Sequence, residues 1–163
     1  MPARCAKLLY AIDATDPSPA TELPAAAHLI ADHGRLVLAV LHPPPGLTLN
    51  ARLIAWQQAR RHQITATVLA PLLSHPATAG LSERNVRIHT AAWTHRRGPG
   101  SRHRRVATAL LRLCRSHDAD LLVLPAHSRL LTPPAHRYLL GRAPAGLRIR
   151  RADEHVAPTA LLV

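Results

Sequence analysis

Phenylalanine is absent from this 163-residue chain, and aromatic residues of all kinds make up only 2% of it. The core must therefore be built from Leu, Val, Ile and Ala. The same scarcity leaves few rings on which unpaired bases could stack, so single-stranded nucleic acid is poorly provided for. Lysine occurs once, at Lys7. Cysteine occurs twice, and the spacing of Cys5 and Cys114 matches neither a metal-ligating nor a redox pair. Two free thiols suit a reducing compartment. There is no run of about 18 apolar residues, which excludes a membrane-spanning helix. The opening M-P-A-R-C-A-K-L-L-Y-A-I-D meets charge too early for a secretory leader, so the expected location is cytoplasmic.

Catalytic and metal-binding patterns are missing too. The chain has neither H-E-x-x-H nor G-x-S-x-G, the signatures of a zinc protease helix and a nucleophile elbow. Its twelve His are scattered. His28 and His33 are five apart and share a helical face poorly, and no Cys or carboxylate joins the pairs His89/His95 or His127/His136. Ser128 follows His127, but sequence neighbours do not present both groups to one substrate, and no local carboxylate orients the ring. No metal site and no enzyme activity is expected.

What the chain does contain is apolar residues, at 47%, and arginine. Its length suits one domain, residues 1–163. The formal charge is +12 and the pI about 11.6. The imbalance is local: from Arg84 to Arg151 there are fifteen Arg and two Asp, with no Glu and no Lys. Such a stretch attracts phosphate, nucleic acid or anionic lipid. Enrichment in Arg, Ala, Pro, His and Leu is also what a GC-rich coding sequence produces.

Hydrophobic patterning alternates strand and helix. Strands are expected at Ala6–Ile12, Arg35–His42, Val86–Trp93, Asp120–Leu124 and Pro158–Val163. Helices are expected at Glu22–His33, closed by Gly34, at Asn50 to about Ser74, and from the cap Ser101 to His117. The long second helix should present Leu53, Trp56, Ile64, Val68 and Leu72 on one face. His75–Glu83 and Ala126–Gly141 read as loops, and Arg142–Ala152 as a short helix. The order β-α-β-α-β-α-β-α-β with right-handed crossovers predicts an α/β fold with a five-stranded, doubly wound parallel sheet.

Three segments resemble the universal stress protein family. K-L-L-Y-A-I-D-A-T at 7–15 resembles its opening strand, D-A-D-L-L-V-L at 118–124 the strand before its phosphate loop, and A-P-T-A-L-L-V at 157–163 its closing strand. G-P-G-S at 98–101 sits where the family has a Gly-containing lead into its third helix. The resemblance spans almost the whole chain. It implies a nucleotide-binding three-layer sandwich of the adenine nucleotide alpha hydrolase type, a role in stress response, and frequent dimerisation, sometimes through the last strands.

Family members that bind ATP carry a loop of Gly, two residues, Gly, nine residues, then Gly followed by Ser or Thr. Glycines let backbone N–H groups approach phosphate, and the following helix N-terminus adds a favourable dipole. Here Pro125 and Ser128 stand at the first two glycine positions. Gly141 matches the third at a spacing of twelve rather than nine, and Arg142 replaces the hydroxyl residue. Asp13 matches the residue that contacts the nucleoside. The degenerate site so implied comprises Asp13, Pro125, Ser128, Arg129, Gly141 and Arg142. No cofactor is expected, and ATP is the one candidate. The expected function is non-enzymatic regulation through a homodimer or an unknown protein partner. Two alternatives follow from the arginines. In one, Arg129, Arg137 and Arg142 join the cluster Arg96, Arg97, Arg102, His103, Arg104 and Arg105 in a crevice that replaces the glycine loop as an ATP switch. In the other, the basic face is an adaptor for nucleic acid or another polyanion.

Overall fold

The computed structural model describes residues 4–15 and 19–154. In chain order the elements are β1 (Cys5–Asp13), α1 (Pro19–Ala27), β2 (Ile30–His42), α2 (Ala51–Leu73), α3 (Pro76–Glu83), β3 (Arg87–Thr94), α4 (Arg102–Ser116), β4 (Leu121–Leu124), α5 (Pro133–Arg142) and β5 (Arg148–Arg151). The five strands form one sheet in the order β3-β2-β1-β4-β5, with every pairing parallel. This is the expected doubly wound α/β fold.

The period of two along a strand explains the layering. On β1, Leu8, Tyr10 and Ile12 turn to one face and pack with Leu23, Leu69, Leu72 and Leu81 from α1, α2 and α3. Leu9 and Ala11 turn to the other face and meet Val106, Leu110 and Cys114 of α4 and Leu139 of α5. A central strand covered on both sides has no polar face, which is why β1 and β4 read as unbroken apolar runs.

Helix α4 carries the strongest amphipathic pattern, burying Val106, Ala107, Leu110, Leu111 and Cys114. It ends where Asp118 takes a left-handed backbone, φ 52°, and the Ala119 amide returns to the Cys114 carbonyl, the usual closure of a helix C-terminus. Lys7 then pairs with Asp118 through its ammonium, and its amide donates to Asp120 Oδ2 at 3.0 Å. The turn is thereby tied to β1.

Several boundaries differ from the sequence expectation. Helix α1 stops at Ala27, and Gly34 lies inside β2 rather than closing the helix. His33 has φ 61°, the β1/β2 register breaks between Cys5 and Lys7, and a Cβ on Gly34 would sit 2.7 Å from the Ala6 carbonyl oxygen. The glycine is required by that close approach of two strands. Residues 75–83 form α3, started by Pro76 and anchored by Leu81. The expected loop at 126–141 contains α5, which opens on Pro133 and Pro134, where no intrahelical N–H is lost. The expected helix at 142–152 contains strand β5 instead. R-I-R-R at an exposed sheet edge offers one apolar residue and so no period to read. The expected strand Pro158–Val163 lies outside the described residues.

Helix α2 also corrects the expected apolar face. Only Leu69 and Leu72 are buried, while Leu53 and Trp56 are exposed. His42, the last residue of β2, places Nε2 2.7 Å from Thr65 Oγ1. Thr65 is therefore level with the strand end, and about 21 Å of helix precedes it.

Two expectations follow. Leu38→Ala, at a fully buried site, should cost about 2–5 kcal/mol in urea denaturation, whereas the exposed Leu140→Ala should stay within about 0.5 kcal/mol. Burial pushes the Cys5 thiol up to about 11 and the Cys114 thiol to about 12. Neither should react with a thiol-titrating disulfide at about pH 8 until the protein is denatured.

Candidate functional site

In a sheet of this order the chain reverses direction between β1 and β4, and the crevice beyond their C-terminal ends is the natural place for a ligand. A cleft of about 550 Å³ lies there. Asp13 and Thr15 from the end of β1 form one side. Leu124, Pro125 and the segment Ala126–Arg129 after β4 form the other, with His136 from α5 and Arg151 from β5.

The cleft is organised by the Asp13 carboxylate, which is buried at 1% exposure. Its Oδ1 accepts from the Thr15 amide at 2.9 Å and from Thr15 Oγ1 at 2.7 Å. Its Oδ2 accepts from Ser128 Oγ at 2.6 Å and from the amides of Arg129 and Leu130 at 3.1 and 3.3 Å. Ser128 Oγ in turn accepts from the Leu130 and Leu131 amides at 3.1 and 2.9 Å. Burial alone would raise the Asp13 pKa. The hydrogen bonds from Ser128, Thr15 and the Leu130 amide outweigh it and hold the carboxyl below the ordinary Asp value.

The same loop is held at two further points. Glu22 accepts from Tyr10 Oη at 3.0 Å and from the Ala126 amide at 3.3 Å. Arg151 donates to the Ala126 carbonyl at 2.9 Å and to Asp153 at 3.1 Å. The amides of Ala126, Arg129, Leu130 and Leu131 are thus engaged by the protein's own carboxylates and hydroxyl.

Of the six residues implicated by sequence, four meet here: Asp13, Pro125, Ser128 and Arg129 line the cleft. Gly141 and Arg142 do not. They form the last turn of α5, about 13 Å of helix away from its start, and Arg142 stacks on Tyr138 at 5.8 Å. Gly141 has helical backbone, so it cannot act as a third glycine of the loop. The arginines also separate. Arg96, Arg97, Arg104 and Arg105 line a different groove between β3 and α4, which shares no lining residue with the cleft. The single crevice expected from sequence is not formed: Arg129 lines the cleft, those four line the groove, and Arg102, His103, Arg137 and Arg142 line neither. Sequence reasoning missed Glu22 and Arg151. An acid in a first helical turn is a legible signal for Glu22. Arg151 could not be found without recognising β5.

Three buried titratable groups make stability fall with acid. His42 and His95 are buried and have lowered pKa values, first through desolvation and then through nearby arginines. Such a His is neutral in the fold, so its contribution is complete above about pH 6.5 and lost as pH falls below that value. Asp13, with a lowered pKa, contributes above about pH 3.9 and loses its contribution as pH falls through the folded value. The melting temperature should therefore drop from neutral pH toward about pH 5, and a His42→Gln/His95→Gln variant should flatten that limb. Asp13→Asn should cost about 1–3 kcal/mol at neutral pH, a difference that shrinks once the wild-type carboxyl is protonated.

No protein-family model matches the chain, and no curated protein matches it in sequence. Solved structures do match in shape. A protein of the universal stress protein family from Burkholderia pseudomallei superposes with a TM-score of 0.55 at 22% identity, covering 89% of this chain and 96% of that one. The universal stress protein UspA from Lactobacillus plantarum superposes with a TM-score of 0.57 at 16% identity, covering 91% and 99%. The five parallel strands, the helices on both faces and these superpositions together show that the chain has the fold of the universal stress proteins.

Proposed function

We infer that this protein is a non-enzymatic regulatory protein of the universal stress type, acting in stress response through self-association or a protein partner, and that its switch-point cleft does not hold ATP strongly. The observation that carries the reading is the self-satisfied loop. Asp13 and Ser128 take up the Arg129, Leu130 and Leu131 amides, and Pro125 has no N–H to offer. A phosphate entering the cleft would meet a buried carboxylate and few free donors. The competing ATP-switch reading has Arg129 and Arg151 in its favour, since both line the cleft.

Self-association has its own support. Leu47 and Leu49, 85% and 103% exposed, precede α2, where Leu53 and Trp56 lie one turn apart at 49% and 56%. Large exposed apolar side chains grouped in one segment favour an interface.

Calorimetric titration with ATP at physiological salt tests the cleft. Wild type and Arg129→Ala should behave alike. Micromolar binding that Arg129→Ala abolishes would overturn the reading in favour of the switch. For self-association, sedimentation velocity at micromolar protein should show a dimer that Leu53→Asp/Trp56→Asp dissociates without lowering the melting temperature. A monomeric wild type would leave only a heterologous partner.

A further inference from the structure

The outer flank of the sheet carries a second concave feature. Between the end of edge strand β3 and the exposed side of α4 runs a groove of about 660 Å³. This is within the range of small-molecule sites. Arg96 and Arg97 come from the segment after β3, and Arg104, Arg105 and Arg112 from α4. No acidic residue lines it. Among the described residues the ion pairs use Arg4, Lys7, Arg84 and Arg151, none of which belongs to this groove. Five arginines therefore line one concavity with no ion-pair partner among the described residues, although the Arg104 guanidinium also lies over the Tyr138 ring at 6.0 Å.

The charge also opposes the helix it sits on. The first turn of α4 has no acid, and its N-cap Ser101 makes no side-chain capping bond. Cations there face the positive end of the helix dipole. An anion entering the groove would offset that opposition.

Two donors in the groove point to what that anion must supply. Trp93 is 7% exposed and lines the groove, yet its indole Nε1 has no hydrogen-bond partner. The buried Nε of Arg105 also lacks one, although its Nη1 donates to the Gly98 carbonyl at 2.6 Å. An unmade hydrogen bond at a buried donor costs about 1–3 kcal/mol. Both atoms are sealed from solvent, so acceptor oxygens would remove that cost once a side-chain movement on binding exposed them. Trp93 is buried, so its ring is not offered for base stacking, and the recognition elements are charge and N–H donors alone.

We propose that the groove between β3 and α4 binds a small polyphosphate-bearing anion, with Arg96, Arg97, Arg104, Arg105 and Arg112 holding phosphate oxygens and the Trp93 indole N–H donating to one of them. Multiple guanidinium groups suit phosphate because each offers paired donors in a fixed plane. The site is separate from the switch-point cleft, and the proposal does not rest on how the cleft is read.

Inorganic tripolyphosphate is the probe, titrated into the full chain carrying Trp56→Phe so that Trp93 alone reports by fluorescence. Saturable binding with a change in Trp93 emission is expected at physiological salt. Arg104→Ala/Arg112→Ala should weaken it at least about tenfold, while Arg129→Ala in the cleft and Arg35→Ala/Arg60→Ala elsewhere should leave it unchanged. ATP competing for the same site would show that the phosphate chain is the determinant, whether free or carried by a nucleoside. No Trp93 response, or equal loss from arginines outside the groove, would overturn the proposal. Duplex DNA displacing tripolyphosphate and binding more tightly would replace it with a nucleic-acid surface.

Discussion

The C-terminal edge of the sheet depends on one buried negative charge. Asp13 ends the central strand with almost no exposure, and a charge so placed must be fully hydrogen-bonded. Two of its donors come from Thr15, just past the strand, and three from Ser128, Arg129 and Leu130, more than a hundred residues later. The carboxylate thus joins β1 to the crossing that follows β4. This is the point where the chain changes sides, and a loop there has no ladder of its own to fix it. Glu22 and Arg151 hold the same loop from α1 and β5. Removing the central anion would leave several buried donors unpaired at once, so the network acts as a unit.

That arrangement gives the loop after β4 a physical logic. A glycine loop that receives phosphate leaves its amides unpaired until a ligand arrives. Serine at position 128 instead supplies a hydroxyl that both donates to Asp13 and accepts from two amides. Four loop amides, those of Ala126, Arg129, Leu130 and Leu131, thus have partners within the protein. Tight intramolecular pairing and strong anion capture compete for the same donors, and here the intramolecular partner has an advantage in effective concentration.

What was legible in the sequence follows from how each element is buried. Strands β1 and β4 are covered on both faces, so K-L-L-Y-A-I-D and L-L-V-L could be read directly. Helix α4 carries a clean apolar stripe for the same reason. Strand β5 could not be read, because R-I-R-R sits at an edge and only its backbone pairing makes it a strand. Helix α2 was found, yet its burial was misjudged. Its first half is largely exposed, and hydrophobic spacing cannot tell a buried face from an exposed one. In the cleft, Asp13 and Ser128 were marked through family likeness, but their mutual bond, across 115 residues of sequence, needs the fold. Gly141 enters through family likeness, at a spacing of twelve rather than nine, and lies at the far end of a helix.

The arginine content raises a question that structure divides into two parts. A GC-rich coding sequence would account for the abundance of arginine, but not for where the arginines collect or what surrounds them. Most acids among the described residues are already engaged: Asp13 and Glu22 brace the loop, Asp32 meets Arg4 and Arg84, Asp118 meets Lys7, Asp120 accepts from the Lys7 amide, Asp153 meets Arg151, and Glu154 accepts from the Arg151 amide. None reaches the flank of α4. A scattered surplus of exposed positive charge is screened by salt within about 10 Å and costs little. Five arginines around a concave surface, with a buried indole N–H left unpaired beside them, are different. The repulsion is local, and the unmet donor is specific. Composition accounts for the charge on the molecule, whereas the groove concentrates it where an anion would relieve both the repulsion and the missing hydrogen bond.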